Sequence, residues 1–265
     1  MTNSLPVWWA FLLPKYNKGR EVMAIASYLV RDLLQHSGFF EGHYGYSNLA
    51  GNFDGQGISF GIIQFNFGQR TLQPVLKQYI SYHEKEFYSI FGKEKGDILK
   101  KVVFEYGFRQ QVQWGASISN RGVVIKEWEK PFMEMGRSRN NQKCQEDVAM
   151  DFVNRAEGFC DSFGIISTQG LAFVFDHVVQ SWSFNNMQRI LREIREKEDE
   201  YRKAHDNRSM PDEDRLSIIL DFIPDDAAHQ FKRRSLIKQG YGYYGDKRYD
   251  ISDFGYGSLN YSSSF

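Results

Sequence analysis

The stretch from Phe40 to Gln69, FEGHYGYSNLAGNFDGQGISFGIIQFNFGQ, constrains the fold more than any other part of the chain. Its seven glycines are spread through a region bordered by segments of clear helical period. From Asn48 to Gly57 the residues are those of turns: Asn, Gly, Asp and Gly again. From Ile58 to Phe67 they turn apolar and partly β-branched, which predicts a short strand or an extended entry into a helix. Two acids, Glu41 and Asp54, stand inside this run, and a plain core strand needs neither.

The flanking segments read as helices. Between Glu21 and Gln35, the residues Val22, Ile25, Ala26, Leu29, Val30, Leu33 and Leu34 recur at helical spacing. Gly38 supplies the expected stop. Helices are also predicted over Gln73 to Tyr88, Gln145 to Phe163 and Thr168 to Gln180, with a Trp-Glu-Lys-Pro-Phe turn inside Lys126 to Asn140. The segment LAFVFDHVV is almost wholly apolar and therefore central. Met187 to Ala204 is polar, with favourable pairs at Glu193/Lys197, Glu198/Arg202 and Asp199/Lys203. Ser209 and Asp212 are placed to cap a following helix that runs through Leu220. From Gly240 the chain is rich in Gly, Tyr, Ser and Asp. The expected fold is α+β, mainly α: one domain over residues 1–265 with a small Gly-rich β element and a Tyr/Gly-rich extension at 240–265.

Composition narrows the function classes. Lys plus Arg and Asp plus Glu are both 33, so nothing argues for nucleic acid or an anionic membrane as partner. No apolar stretch reaches bilayer-spanning length. The opening MTNSLPVWWAFLLPKYNKGR has no basic n-region or small-residue cleavage site, and Pro14 ends its apolar run. That predicts synthesis in the cytoplasm, with release or delivery by other means. Cys144 and Cys160 have no CxxC or Cys/His spacing, so no metal is expected, and free thiols are the simplest reading. No P-loop, HExxH, GxSxG or dinucleotide fingerprint occurs, and no cofactor is expected. Aromatics reach 16%, which serves a core and also the aromatic faces of a sugar-binding cleft.

The two acids carry the chemistry. A carboxyl at the end of a mostly apolar helix is partly desolvated, which favours the protonated form that a general acid needs; Glu41 is so placed. In a Gly-rich turn, backbone N–H groups and water favour the carboxylate, and Asp54 is so placed. Two carboxyls kept in opposite protonation states are what glycosidic hydrolysis requires. The competing reading is a surface Glu after a helix and an Asp in a common Asp-Gly turn. Ser59 offers a hydroxyl just past the turn. If Ile58 to Phe67 is one strand, Gln64 and Asn66 share a face with Ile62 and line a cleft wall, with structural hydrogen bonding as the alternative. His43, Gln113, Trp114 and Asn120 are further candidates for sugar contacts, and Trp114 and Trp128 serve equally as core aromatics. His177 beside Asp176 reads as a core histidine with a partner. Arg233 and Arg234 read as a solvated basic pair.

On these residues the segment resembles the active-site region of the lysozyme-like superfamily. Phe60 to Gln64, FGIIQ, is similar to the stretch that follows the catalytic Glu in goose-type lysozymes and lytic transglycosylases, and Glu41 stands where that acid should. Phage-type lysozymes and family 46 chitosanases are similar too, with a Glu, a later Asp in a β turn and a hydroxyl residue before a Gly-containing strand, the last matched by Ser59. GNFDGQGISFGIIQFNFGQRTLQPVL, FGIISTQGLAFVFDHVVQ and YGDKRYDISDFGYG together resemble a group of uncharacterised bacterial and phage proteins labelled peptidoglycan-related. Asn66 stands where goose-type enzymes carry a second Asp. Ser181 and Trp182 stand where Asn and Gly are expected.

The resemblance implies a lysozyme-like fold and a polysaccharide substrate. Glu41 would protonate the glycosidic oxygen while Asp54, helped by Ser59, activates water on the other sugar face, with inversion as the outcome. The substrate would be the β-1,4 glycan of peptidoglycan, as for a phage lysin or a delivered antibacterial effector. A chitosanase is the enzymatic alternative. The alternative from another class is a non-catalytic glycan-binding or virion structural protein, for which Glu41 would sit in a side-chain network with no open groove.

Overall fold

The computed structural model describes residues 27–42, 44–223 and 228–255. The chain is mainly helical, with ten α-helices among the described residues and three small antiparallel sheets. The expected first helix is seen as α1 (Ser27–Glu41); residues 21–26 lie outside the described residues. Gly38 does not stop it. A Cβ at that position would come within 2.8 Å of Ile62 Cγ1, so the glycine lets α1 lie against the FGIIQ segment and the helix runs on to Glu41.

After α1 a 3-10 turn (Gly45–Ser47) leads to β1 (Leu49–Ala50), β2 (Ser59–Phe60) and β3 (Phe65–Asn66). Ala50 pairs with Ser59, and Ser59 with Asn66. The predicted strand over Ile58 to Phe67 is therefore two short strands and a tight turn. Gly61 and Gln64 both adopt positive φ, at 90° and 56°. That reverses the chain and takes Gln64 off the face it would share with Asn66 in a single strand.

Helices α2 (Leu72–Tyr82) and α3 (Glu84–Phe104) divide what the sequence suggested as one, and α3 itself kinks at Gly92. They are followed by α4 (Phe108–Ser117) and a hairpin, β4 (Ser119–Asn120) with β5 (Val123–Val124). The hairpin turns on Arg121 and Gly122, both at positive φ, a two-residue connection that favours such conformations. The predicted Pro turn is helical: α5 (Lys126–Arg137) carries Pro131 inside it. Its buried Trp128, Phe132 and Met135 recur at helical spacing, and that packing outweighs the one backbone bond proline cannot make.

Helix α6 (Arg139–Phe163) starts at Ser138, whose Oγ accepts the Asn141 N–H, and ends at Gly164 in the left-handed conformation. Helix α7 (Thr168–Ser181) is buried from Gly170 to Val178, as its apolar run predicts, and contacts α6 and α1. The polar helix α8 matches its predicted span at Met187–Ala204 and buries only Ile190 and Ile194. Ser209 and Asp212 do not cap α9 (Asp212–Asp221). Ser209 Oγ donates to Glu198, while Asp212 Oδ2 accepts the Ile166 and Ser167 N–H groups ahead of α7. After α10 (Ala228–Gln239), the Tyr/Gly-rich end forms a hairpin, β6 (Tyr241–Tyr244) with β7 (Lys247–Asp250), that packs on α10. Tyr249 is buried and its hydroxyl bonds His36 of α1 at 2.7 Å.

Candidate active site

Glu41 is the last residue of α1 and its side chain keeps 16% of its exposure. Its Oε1 accepts two hydrogen bonds, from Gln180 Nε2 at 2.7 Å and from Arg233 Nη1 at 2.6 Å. Oε2 has no hydrogen-bond partner among the described residues. Glu41 thus has a cationic partner that the sequence did not foretell, and one oxygen remains outside the network.

That partner comes from the pair read as a solvated face, and the structure overturns that reading. Arg233 and Arg234 are 1% and 0% exposed. Arg233 Nε donates to Asp176 Oδ1 at 2.6 Å, its Nη2 donates to Ser37 Oγ at 3.1 Å, and its guanidinium lies over the Phe40 ring at 4.6 Å. Burial works against its charge, but Asp176 and Glu41 outweigh burial and hold Arg233 above the ordinary arginine value. Burial brings Arg234 down to about 10, partly offset by Asp176. The buried inventory is two carboxyls, Glu41 and Asp176, against two guanidiniums.

Asp176 therefore pairs with the arginines. His177 is a core histidine stacked on Phe184 at 3.7 Å with Nε2 donating to the Ser183 carbonyl at 3.0 Å. Burial lowers it to about 4 and lowers His36 to about 3, so both are neutral imidazoles.

Asp54 sits fully outside this network, in the exposed loop between β1 and β2. Asp54 Oδ1 accepts the Gln56 N–H at 3.1 Å, and Asn52 Oδ1 accepts the Gly57 N–H at 2.9 Å. The β4–β5 hairpin clamps the loop from outside: Gly51 N–H donates to the Gly122 carbonyl and Asn52 N–H to Ser119 Oγ. Ser59, at the far end of the loop, is 5% exposed, and its hydroxyl has no hydrogen-bond partner among the described residues.

The β region is pinned to the helices by Gln145 of α6. Its Oε1 accepts the Ile62 N–H at 3.0 Å and its Nε2 donates to the Tyr46 carbonyl at 3.0 Å, so one side chain ties both flanks of the Asp54 loop. A Cβ on Gly61 would lie 2.3 Å from that Oε1. The glycine is needed both for its positive φ and for this approach.

The remaining candidates are dispersed. Asn66 is buried and spends its amide locally: Oδ1 accepts the Gln69 N–H at 2.7 Å and Nδ2 donates to Gln69 Oε1 at 3.0 Å. Gln64 is half-buried, with Nε2 donating to the Gly61 carbonyl. Structural hydrogen bonding thus accounts for the polar contacts seen at both amides. Gln113 and Asn120 are exposed. Trp114 is half-buried, edge-on to Trp128 at 5.0 Å, and belongs to the core packing. His43 lies outside the described residues.

Sequence reasoning missed Gln180, Arg233 and the pairing of Asp176. One signal was available: Asp176 is the lone acid in LAFVFDHVV, and a carboxylate inside an apolar helix requires a buried cation.

No protein-family model matches the chain, and no curated protein matches it in sequence. Its fold does match solved structures. The native chitosanase of Bacillus subtilis MY002 superposes with a TM-score of 0.54 and 14% identity, over 82% of this chain and 89% of that one. A mutant of the same enzyme complexed with 6 GlcN gives 0.56 and 15%, with the same shares covered. The Gynuella sunshinyii GH46 chitosanase complexed with chitotetraose gives 0.52 and 14%, over 82% and 90%. The chain has the mainly α, lysozyme-like fold of these chitosanases.

Proposed function

We propose that this protein is a glycoside hydrolase that cleaves β-1,4 links in an amino-sugar glycan, with Glu41 as general acid. The observation that carries the proposal is the asymmetry at Glu41: Oε1 is held by Arg233 and Gln180, while Oε2 has no partner among the described residues. Oε2 is thus the oxygen of this partly exposed carboxyl that is left open to a substrate atom.

Asp54 is the general base in this reading. It is exposed, on a loop clamped at both flanks, and Ser59 presents a hydroxyl to help hold the attacking water. Inversion requires the two carboxyls to stand about 6.5–9.5 Å apart around that water. The glycan strand of peptidoglycan is the first substrate, reached after the protein is released or delivered to a cell wall. Chitosan is the second reading, favoured by the fold likeness to enzymes solved with 6 GlcN and chitotetraose.

The test is release of reducing ends from purified peptidoglycan and from chitosan by the wild type and by Glu41→Gln, with circular dichroism as the folding control. Release by the wild type that disappears in a folded Glu41→Gln is the expected result, and the substrate that responds names the specificity. Equal release by both proteins would remove Glu41 from the mechanism. No release from either glycan would favour a binding or structural role.

A further inference from the structure

We infer that Gln180 is a positioning residue that keeps the acid proton of Glu41 on Oε2 and stabilises the charge left behind when the proton departs; the second half rests on the glycosidase reading above. Oε1 faces two donors, Gln180 Nε2 at 2.7 Å and Arg233 Nη1 at 2.6 Å. A guanidinium has no acceptor, and an amide nitrogen is a donor only. A hydrogen on Oε1 would therefore face two donors as they now stand and cost at least one of these bonds. The neutral acid is therefore assigned its O–H on Oε2, the oxygen without a partner among the described residues.

The consequence for the reaction is direct. The Oε2–H bond breaks as the proton moves to the glycosidic oxygen. The bond from that oxygen to the anomeric carbon breaks, and its electron pair goes to the departing sugar. Water bonds to the anomeric carbon and gives a proton to Asp54. The negative charge that forms on Glu41 is shared with Oε1, where both donors already stand, so their bonds strengthen toward the transition state.

Gln180 is the cleaner of the two to probe. It is half-buried in the last turn of α7, beyond the buried stretch that ends at Val178, and it is neutral. Its loss leaves the contacts between Arg233, Asp176 and Ser37 in place.

The experiment uses the full chain with its glutamate side-chain carboxyls labelled with carbon-13. Infrared difference spectra at acid pH isolate the neutral Glu41 carbonyl after subtraction of the Glu41→Gln spectrum. Gln180→Met keeps the length and removes the donor, and Gln180→Leu repeats the test with a different apolar shape. The carbonyl stretch is expected to move to higher wavenumber in both variants, because one of two donors on Oε1 is gone. On the glycan the wild type cleaves, kcat is expected to fall by about ten- to a hundredfold with KM nearly unchanged, the signature of a bond to a charge present only in the transition state. An unmoved carbonyl stretch would overturn the placement of the proton. A moved stretch with unchanged kcat would overturn the stabilising role. If the wild type cleaves neither peptidoglycan nor chitosan, the glycosidase reading falls while the infrared result still decides where the proton sits.

Discussion

Arg233 Nη1 stands 2.6 Å from Glu41 Oε1 although 192 positions separate the two residues along the chain. The same guanidinium reaches Asp176 on α7 and Ser37 on α1, so it joins three helices behind one carboxyl. Arg233→Met would take the guanidinium away from two acids, one of them fully buried. The expected cost is about 3–5 kcal/mol, read as a lower denaturant midpoint. Arg233→Lys is expected to recover little of it, because a single ammonium cannot deliver forked donors to Glu41, Asp176 and Ser37 together. A variant as stable as the wild type would show that the cluster is not a structural joint.

Asp54 should separate activity from stability. It is exposed and its visible contact is with Gln56 in its own loop. Asp54→Asn keeps an oxygen for that bond, so its denaturant midpoint should stay within about 0.5 kcal/mol of wild type. Its glycan turnover should drop by roughly 10²–10⁴-fold if it removes the base. Ser59→Ala is expected to lose less. Full turnover in Asp54→Asn would exclude Asp54 from water activation.

Acid should destabilise the fold through its neutral histidines. Burial is the main cause in both, lowering His36 to about 3 and His177 to about 4 from the ordinary 6.5. Below pH 6.5 the unfolded chain therefore binds protons that the folded chain refuses. Stability is fully present above that value and is lost as pH falls, until the folded histidines themselves protonate. Each contributes a slope of roughly 1.4 kcal/mol per pH unit in that window. Paired carboxylates such as Glu198 add their own loss only near and below their ordinary 4.5, so the interval from about 6.5 to 4.5 isolates the histidines. Urea midpoints across it should fall, and His177→Gln should reduce the slope by about one proton. A flat wild-type profile would show that these imidazoles charge without penalty.

Gly61 tests how the β region is held. Alanine there would take an unfavourable positive φ and press Gln145 off the Ile62 N–H. Gly61→Ala is expected to cost about 2–4 kcal/mol, more than strain alone. Gly55→Ala, also at positive φ but with open space around its Cβ, should cost only the backbone part, on the order of 1 kcal/mol. Equal losses would mean that the Gln145 contact adds nothing.

Helical periods foretold α7 and α8 almost to the residue, because a repeating apolar face is a local property that packing then uses unchanged. The glycine-rich run was legible as turns, and the lysozyme-like fold was legible from FGIIQ and the acids around it. Gly38 and Pro131 misled, since each breaks helices locally yet sits where close contact with Ile62 or a buried aromatic face outweighs that tendency. The single strand over Ile58 to Phe67 failed because a positive φ at Gln64 is not written in residue type. Sequence alone determined the amphipathic helices, the turn-rich β region and the presence of Glu41 and Asp54 within it. The tertiary structure alone decided that Arg233 and Gln180 meet on one oxygen of Glu41. Burial of a charge is a property of what surrounds it, and the surroundings of Arg233 come from α1 and α7, far from it along the chain.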